Sequence, residues 1–333
     1  MKPKALDLFA GCGGLSVGFI QAGFDIVVAS DVWKPTQDTY CRNHPKTKFV
    51  LGDITEKVVK ADIVSIFKKD RVPCDVIIGG PPCQAYSMAG FRDPKDPRGK
   101  LFNDYVDIVE VLSPHIFVME NVKGILSMKH GNEKVIDKIV RRFKEIKYKL
   151  EFRVLDSADY GVPQHRERVI FIGTRHNIKI AFPEATHADG GGFDGSLKPY
   201  VTLRQAIDDL KNKPEDVKWS HIFAKHSDEF IRKAHETPIG SNLASYSESF
   251  FKANPNQPVK TVKANNGSVF IHYAKDRSMS PRELARLQSF PDDFFFVGTK
   301  HDVFAMIGNA VPCGLAKTIA TSVKMMLLRI EKK

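Results

Sequence analysis

Over the first 175 positions, apolar residues come in short blocks separated by amphipathic or polar stretches. This is the rhythm of a chain that alternates strands and helices. Ala5–Phe9, Ile26–Ser30, Phe49–Gly52, Val76–Ile78, His115–Met119, Leu150–Leu155 and Val169–Gly173 read as strands. Helical spacing runs over Leu15–Ala22, Val58–Phe67, Tyr105–Leu112 and the basic stretch Asn132–Lys147. Near-continuous apolar strands between helices predict a mostly parallel α/β sheet with helices on both faces. After Arg175 the alternation stops. Residues 183–200 carry Asp189–Gly190–Gly191–Gly192, and residues 201–275 interleave basic residues with aromatics such as Trp219, Phe223, Phe230, Tyr246, Phe250, Phe251 and Phe270. That shift predicts a second, smaller and irregular domain. Ser280–Pro281–Arg282–Glu283 reads as a capped helix start, with Ser as N-cap, Pro at the first helical position and Glu at the third. Leu315–Ile330 reads as a last amphipathic helix, long enough to pack back on the first domain.

At 333 residues, 42% of them hydrophobic and 27% charged, the composition is that of a globular protein. The net charge of +11 and pI near 9.3 favour a polyanionic partner, with nucleic acid first among them. The five cysteines (Cys12, Cys41, Cys74, Cys83 and Cys313) form no C-x-x-C pair, which speaks against a zinc site or a disulfide framework and for a reducing compartment. No signal-peptide layout precedes the first strand, and the apolar runs are too short to span a bilayer.

Candidate chemistry gathers at the C-terminal ends of the expected strands, where open α/β sheets bind ligands. Ala10–Gly14 is a glycine turn between a strand and a helix, which lets a ligand approach the backbone and the helix N-terminus. Asp31 ends the second strand about 20 residues later, the place of a ribose-binding acid. Trp33 suits adenine stacking or the core. Asp53 suits a helix N-cap or an adenine contact. Pro81 and Pro82 stiffen the turn that carries Cys83, either a buried structural thiol or a held nucleophile. Residues 90–100 read as a mobile loop that closes over a substrate. Glu120 ends the fifth strand as a cap or as an acid with a raised pKa. Arg166 and Arg168, two positions apart, share a face and suit a base carbonyl, a phosphate or a surface ladder.

Taken together these residues resemble the DNA (cytosine-5)-methyltransferase family, in a compact prokaryotic form. Phe9–Ala10–Gly11–Cys12–Gly13–Gly14 resembles its cofactor glycine motif, Pro81–Pro82–Cys83–Gln84 its nucleophile motif and Glu120–Asn121–Val122 its acid motif. Gln164-x-Arg166-x-Arg168 resembles its arginine motif, Arg282–Glu283-x-x-Arg286–Leu287–Gln288-x-Phe290–Pro291 its hinge-helix motif, and Gly308–Asn309-x-Val311–Pro312 its C-terminal cofactor motif. Six motifs in order span nearly the whole chain.

The resemblance implies a Rossmann-like S-adenosylmethionine-dependent methyltransferase sheet over residues 1–175, a target-recognition domain at 176–278, a hinge-helix region at 279–300 and a returning segment at 301–333. It implies S-adenosylmethionine as cofactor and Cys83, Glu120, Arg166 and Arg168 as catalytic residues. Phe9, Gly11, Gly13, Gly14, Leu15, Asp31 and Trp33 would line the cofactor pocket. Asp53, Ile54, Pro82, Leu101, Asn309 and Val311 would complete it. Asp31 stands where the family usually has Glu. Gln84, Ser87, Gln164 and Thr261 would touch the substrate. The implied partner is double-stranded DNA with a flipped-out cytosine, bound by a cytoplasmic, nucleoid-associated monomer without metal or membrane; a cognate restriction endonuclease would be a further partner.

The chemistry explains the residue types. Thiolate addition at carbon 6 makes carbon 5 of cytosine nucleophilic toward a methyl sulfonium, and a thiol is the natural group for that addition. A tRNA-cytosine relative shares these motifs but typically carries a Cys-Phe-Thr signature, and no cysteine lies between Cys83 and Cys313. An amino-group methyltransferase would place an aromatic at position 83. A DNA-binding module without catalysis leaves Cys83, Glu120, Arg166 and Arg168 unexplained, and a nicotinamide dehydrogenase accounts only for the glycine turn.

Overall fold

Seven strands form one sheet: β1 (Lys4–Leu8), β2 (Asp25–Asp31), β3 (Lys48–Leu51), β4 (Val76–Gly79), β5 (Ile116–Val122), β6 (Lys149–Asp156) and β7 (Glu167–Thr174). Their order is β3-β2-β1-β4-β5-β7-β6. The first five are parallel, and β7 runs antiparallel to both β5 and β6. The computed structural model describes residues 1–69, 71–82, 101–130, 133–244, 250–264 and 269–331.

Strand side chains alternate between two apolar layers. Ala5, Val76, Ile78, Val118, Ile170 and Ile172 face α1 (Gly14–Gln21) and α10 (Cys313–Glu331), where Phe19, Ile319, Val323 and Met326 complete the first core. Leu6, Leu8, Ile77, Phe117 and Phe171 face the other way, onto α3 (Lys57–Lys69), α4 (Leu101–Leu112) and α5 (Val135–Glu145). The expected doubly covered sheet is therefore present. A Cβ on Gly18 would stand 2.4 Å from Ala316 Cβ, so α1 and α10 approach closely only because position 18 has no side chain. The stretch Lys300–Glu331 contains a window of mean hydropathy 1.4, enough by composition to cross a bilayer, but 72% of that window is buried in the protein. The part of that stretch from Cys313 on is α10, packed in the first core.

Two details differ from the expected elements. The basic helix starts at Val135 rather than Asn132, because Glu133–Lys134 pairs with Lys129–His130 as a short antiparallel ladder. Periodicity also hid α2 (Lys34–Asn43), a polar helix with Pro at its start that places Tyr40 in the core.

The remaining chain builds a third core from Leu203, Phe270, Leu284, Phe290, Phe304 and Ile307. It contains α6 (Leu203–Ile207), α7 (Asp228–Glu236), α8 (Pro281–Leu287) and α9 (Lys300–Asn309). Helix α8 has the expected capping box, in which Glu283 N donates to Ser280 Oγ and Ser280 N donates to Glu283 Oε2. Arg282, fully buried, donates to the carbonyls of Trp219 and Phe294 at 2.8 and 2.7 Å, tying α8 to two loops. Helix α9 then delivers Gly308–Ala310 to the ends of the strands.

Candidate active site

The sheet order reverses between β1 and β4, and a ligand crevice is expected beyond the strand ends at that point. A cavity of about 940 Å³ opens there. After β1 the chain turns through Phe9 (φ 57°), Gly11 (φ 55°) and Gly13 (φ 100°) into α1. The two glycines take the left-handed conformation readily, and Phe9 takes it at a cost in strain. Asp31, at the end of β2, pins this turn: Gly11 N donates to its Oδ2 at 2.8 Å and Trp33 N to its Oδ1 at 2.9 Å. Burial pushes the Asp31 carboxyl up from its ordinary value, while these backbone donors pull it down. Asp53 accepts from Thr55 N and Thr55 Oγ1, closing a turn before α3 begins at Lys57, so it is not that helix's N-cap. On the far wall, a Cβ on Gly14 would lie 2.4 Å from the Val311 carbonyl oxygen. The start of α1 and the start of α10 thus close the same cavity from opposite ends of the chain.

The other half of the cavity lies beyond β4 and β5. Gly79 is in register with Met119, so the turn Gly80–Pro82 runs beside Glu120. Glu120 Oε1 pairs with Arg168 Nε at 2.8 Å across the antiparallel β5–β7 ladder, both side chains mostly buried. Its other oxygen, Oε2, would lie 3.0 Å from a Cβ on Gly80. Asn121 Nδ2 donates to the Pro81 carbonyl at 3.0 Å, which ties the diproline turn to β5. Arg166, buried to 3% exposure, donates through Nη1 to the Val262 carbonyl and through Nη2 to the Gly308 carbonyl, each at 2.8 Å. Burial and the neighbouring Arg168 charge push its guanidinium pKa down to about 9. It is the clamp between β7, the 261–264 segment and the end of α9.

The family model described as C-5 cytosine-specific DNA methylase matches residues 3–325. The chain belongs to this family. The methylase is 38% identical over 331 residues to the Type II methyltransferase M.NgoFVII of Neisseria gonorrhoeae, covering 93% of this chain and 83% of that one. It is 36% identical to the Type II methyltransferase M.FnuDI of Fusobacterium nucleatum, covering 99% and 96% of the two chains. Among solved structures it is similar to a candidate DNA modification methyltransferase encoded within an E. coli prophage, with a TM-score of 0.81, 26% identity and coverage of 98% and 100%. The Dnmt2 methyltransferase of S. pombe, at a TM-score of 0.66 and 18% identity, shares the fold.

In this methylase the cavity wall gathers Phe9, Gly11, Gly14, Leu15, Asp31, Trp33, Asp53, Ile54, Pro82, Leu101, Asn309 and Val311 with Glu120, Arg166, Arg168 and Thr261. Two expected residues lie elsewhere. Gly13 sits behind the wall, where a Cβ would stand 2.9 Å from His44 Nε2 and 3.1 Å from the Tyr40 ring. Gln164, expected to touch substrate, is fully buried: its Nε2 donates to the Leu287 carbonyl and to Gln288 Oε1, and its Oε1 accepts from Val262 N. Cys83, Gln84, Ser87 and the loop at 90–100 lie outside the described residues. Asn121 and Gly308 stand inside the motifs quoted from the sequence, and Gly80 beside one, but none of the three was given a role there. Asn121 acts through the carbonyl of Pro81. The two glycines act through the side chain they lack, a signal invisible without the neighbouring backbone.

Proposed function

We propose that this methylase transfers a methyl group from S-adenosylmethionine to carbon 5 of a cytosine turned out of double-stranded DNA, through a transient bond between Cys83 and carbon 6. The observation that supports this reading is one cavity with Asp31 and Trp33 at one end and the Glu120–Arg168 pair at the other. Its volume is at the upper end of small-molecule sites, enough for a nucleoside cofactor and a base side by side. Phe9 and Trp33 offer faces for an adenine, and Asp31 offers acceptors for ribose hydroxyls. The cofactor, when bound, supplies an electrophilic methyl group.

Cys83 forms its sulfur–carbon bond at carbon 6 as a thiolate. Glu120 holds ring nitrogen 3 and the amino group, drawing electron density from carbon 6. Arg168, already fixed against Glu120, binds the ring carbonyl oxygen. Arg166 holds the cavity wall, leaving Arg168 as the guanidinium that meets the base. After methylation, carbon 5 loses its proton, the electrons return to the ring and the bond to Cys83 breaks. A base inside a duplex cannot reach such a cavity, so the nucleotide leaves the stack. Residues 176–278 would read the target sequence, and the relatives named as Type II methyltransferases support a sequence-specific enzyme that accompanies an endonuclease. A genome with no endonuclease gene beside this one would count against that pairing.

The test uses tritiated S-adenosylmethionine with unmethylated duplex DNA and, separately, unmodified tRNA. Label recovered as 5-methylcytosine in DNA, at one short repeated sequence, is the expected result. Label confined to tRNA would overturn the DNA substrate. Cys83→Ser is expected to bind the cofactor and lose transfer; a fully active variant would remove Cys83 from the mechanism.

A further inference from the structure

Asp7 stands on the α1–α10 face of β1, among apolar neighbours, with no exposure to solvent. Its Oδ2 lies 2.6 Å from Ser16 Oγ, which in turn lies 2.5 Å from the Tyr40 hydroxyl. Its Oδ1 is buried and has no hydrogen-bond partner. The ionisable groups around it offer no positive charge. Asp31 on β2 is an acid, Cys12 before α1 and Tyr105 on α4 are neutral or anionic, and α2 contributes Tyr40 and the neutral, buried His44. From β4 only Ile78 is in register with it.

We propose that Asp7 keeps its proton through the acidic range up to neutrality and, through Ser16 and Tyr40, positions the glycine turn of the cofactor pocket, so that cofactor affinity falls as Asp7 ionises. The inference rests on reading this cavity as the S-adenosylmethionine site.

The geometry favours the acid. A carboxylate here would leave half its charge on an oxygen with no donor, in an apolar layer next to Asp31. A carboxylic acid leaves only an unpaired carbonyl, a far smaller loss. Its Oδ2–H donates to Ser16, and the Ser16 hydroxyl then donates to Tyr40. Burial first and Asp31 after it push the Asp7 carboxyl up to about 7, against the opposing hydrogen bonds from the Ser16 hydroxyl and backbone.

The link to the cofactor is local. Ser16 is in the first turn of α1, next to Gly14 and Leu15, which line the cavity. Gly13 rests on Tyr40 and His44. Asp31, which pins Gly11 and Trp33, stands two residues beyond Asp7's register partner Ala29. An ionised Asp7 repels Asp31 and reverses the hydroxyl chain under the turn, Tyr40 then donating to Ser16 and Ser16 to the carboxylate. Asp7 is thus a positioning residue and touches no reacting atom.

The experiment is calorimetric titration of S-adenosylmethionine into the whole protein and into Asp7→Asn, from pH 6 to pH 8.5. The cofactor's own ammonium titrates in this window, so the quantity read is the ratio of the two dissociation constants. The wild-type constant is expected to rise roughly tenfold more than that of Asp7→Asn, within the limit of one decade per pH unit for a single linked proton. A ratio independent of pH would overturn the proposal. Carbon-13 NMR of aspartate-labelled wild-type protein gives a readout that needs no variant. The Asp7 carboxyl is expected to titrate near neutrality, and a carboxyl already ionised at pH 6 would overturn the proposal. If neither protein binds S-adenosylmethionine at pH 6, the cofactor reading fails, while the carboxyl titration still decides whether Asp7 holds a proton.

Discussion

Gln164 Nε2 donates to Gln288 Oε1 at 2.9 Å, inside the protein and 124 residues apart in sequence. Each amide is otherwise committed: Gln164 to Val262 N and the Leu287 carbonyl, Gln288 to the carbonyls of Ile307 and Ala310. Two glutamines therefore join the segment before β7, the end of α8, the 261–264 segment and the end of α9. Both are satisfied, the condition under which a buried polar network fixes one arrangement.

Gln288→Leu keeps the volume and removes the bonds. It leaves one Gln164 N–H and the Ala310 carbonyl without a partner, each costing about 1–3 kcal/mol when buried and unpaired, while the Ile307 carbonyl keeps Ala310 N. Denaturant unfolding is expected to show a loss of at least about 2 kcal/mol on that basis. An unchanged midpoint would show that water replaces the lost bonds.

Gly80→Ala is expected to lower kcat while leaving the fold intact. The new methyl group meets Glu120 Oε2 at 3.0 Å, tighter than ordinary contact, so the carboxylate must give way against Arg168. A misplacement of about 1 Å costs on the order of 10²-fold in rate, so this smaller shift is expected to cost up to roughly tenfold. Steady-state methylation with a fixed DNA substrate checks it, with circular dichroism as the control for folding.

Asp31→Asn exchanges one acceptor oxygen for an amide donor. Either Gly11 N or Trp33 N then faces a donor instead of a charged acceptor. Hydrogen bonds to a charged group are worth about 1.5–3 kcal/mol, so cofactor affinity is expected to fall by one to two decades, roughly. Equilibrium binding of S-adenosylmethionine reads it, and an unchanged dissociation constant would remove Asp31 from the pocket.

Acid stability has a definite sign. His272 is fully buried; Ala274 N donates to its Nδ1, and its Nε2 has no hydrogen-bond partner. Burial pushes its pKa down to about 4, Glu283 opposing and Arg277 adding to the effect. Between the ordinary value of 6.5 and about 4 the unfolded chain holds a proton that the folded one refuses. The stabilisation is therefore complete above pH 6.5 and is lost as pH falls, by up to about 3 kcal/mol. His44, pushed down to about 4 by burial, acts in the same sense. Urea midpoints at pH 7 and pH 5 are expected to differ less in His272→Asn, whose side-chain oxygen still accepts from Ala274 N.

The sheet was readable because its strands are continuous apolar blocks bounded by glycine, proline or an acid. Helix α8 was readable because Ser280, Pro281 and Glu283 spell a cap in a fixed frame. Helix α2 was not, since its buried Thr36, Thr39 and Tyr40 carry too little apolar contrast for a helical period to stand out. The cavity wall was largely legible through motif residues at strand ends, such as Asp31 and Glu120. Gln164 was misjudged because an amide between two exposed-looking residues gives no sign that its partners lie about a hundred positions away. Asp7 was taken for an ordinary strand residue, because burial without a counter-ion is a property of its neighbours.

The close seat of Gly18 on Ala316 and of Gly14 on the Val311 carbonyl brings the beginning and the end of the chain together around one cavity. During synthesis the first strands and helices emerge from the ribosome early and can begin to fold. Their pocket, however, lacks a wall until residues 308–316 have followed. A chain interrupted before that point has a diproline turn and a glycine turn but no closed cavity. The enzyme therefore becomes competent only when its last helix is made, and an abandoned fragment modifies nothing.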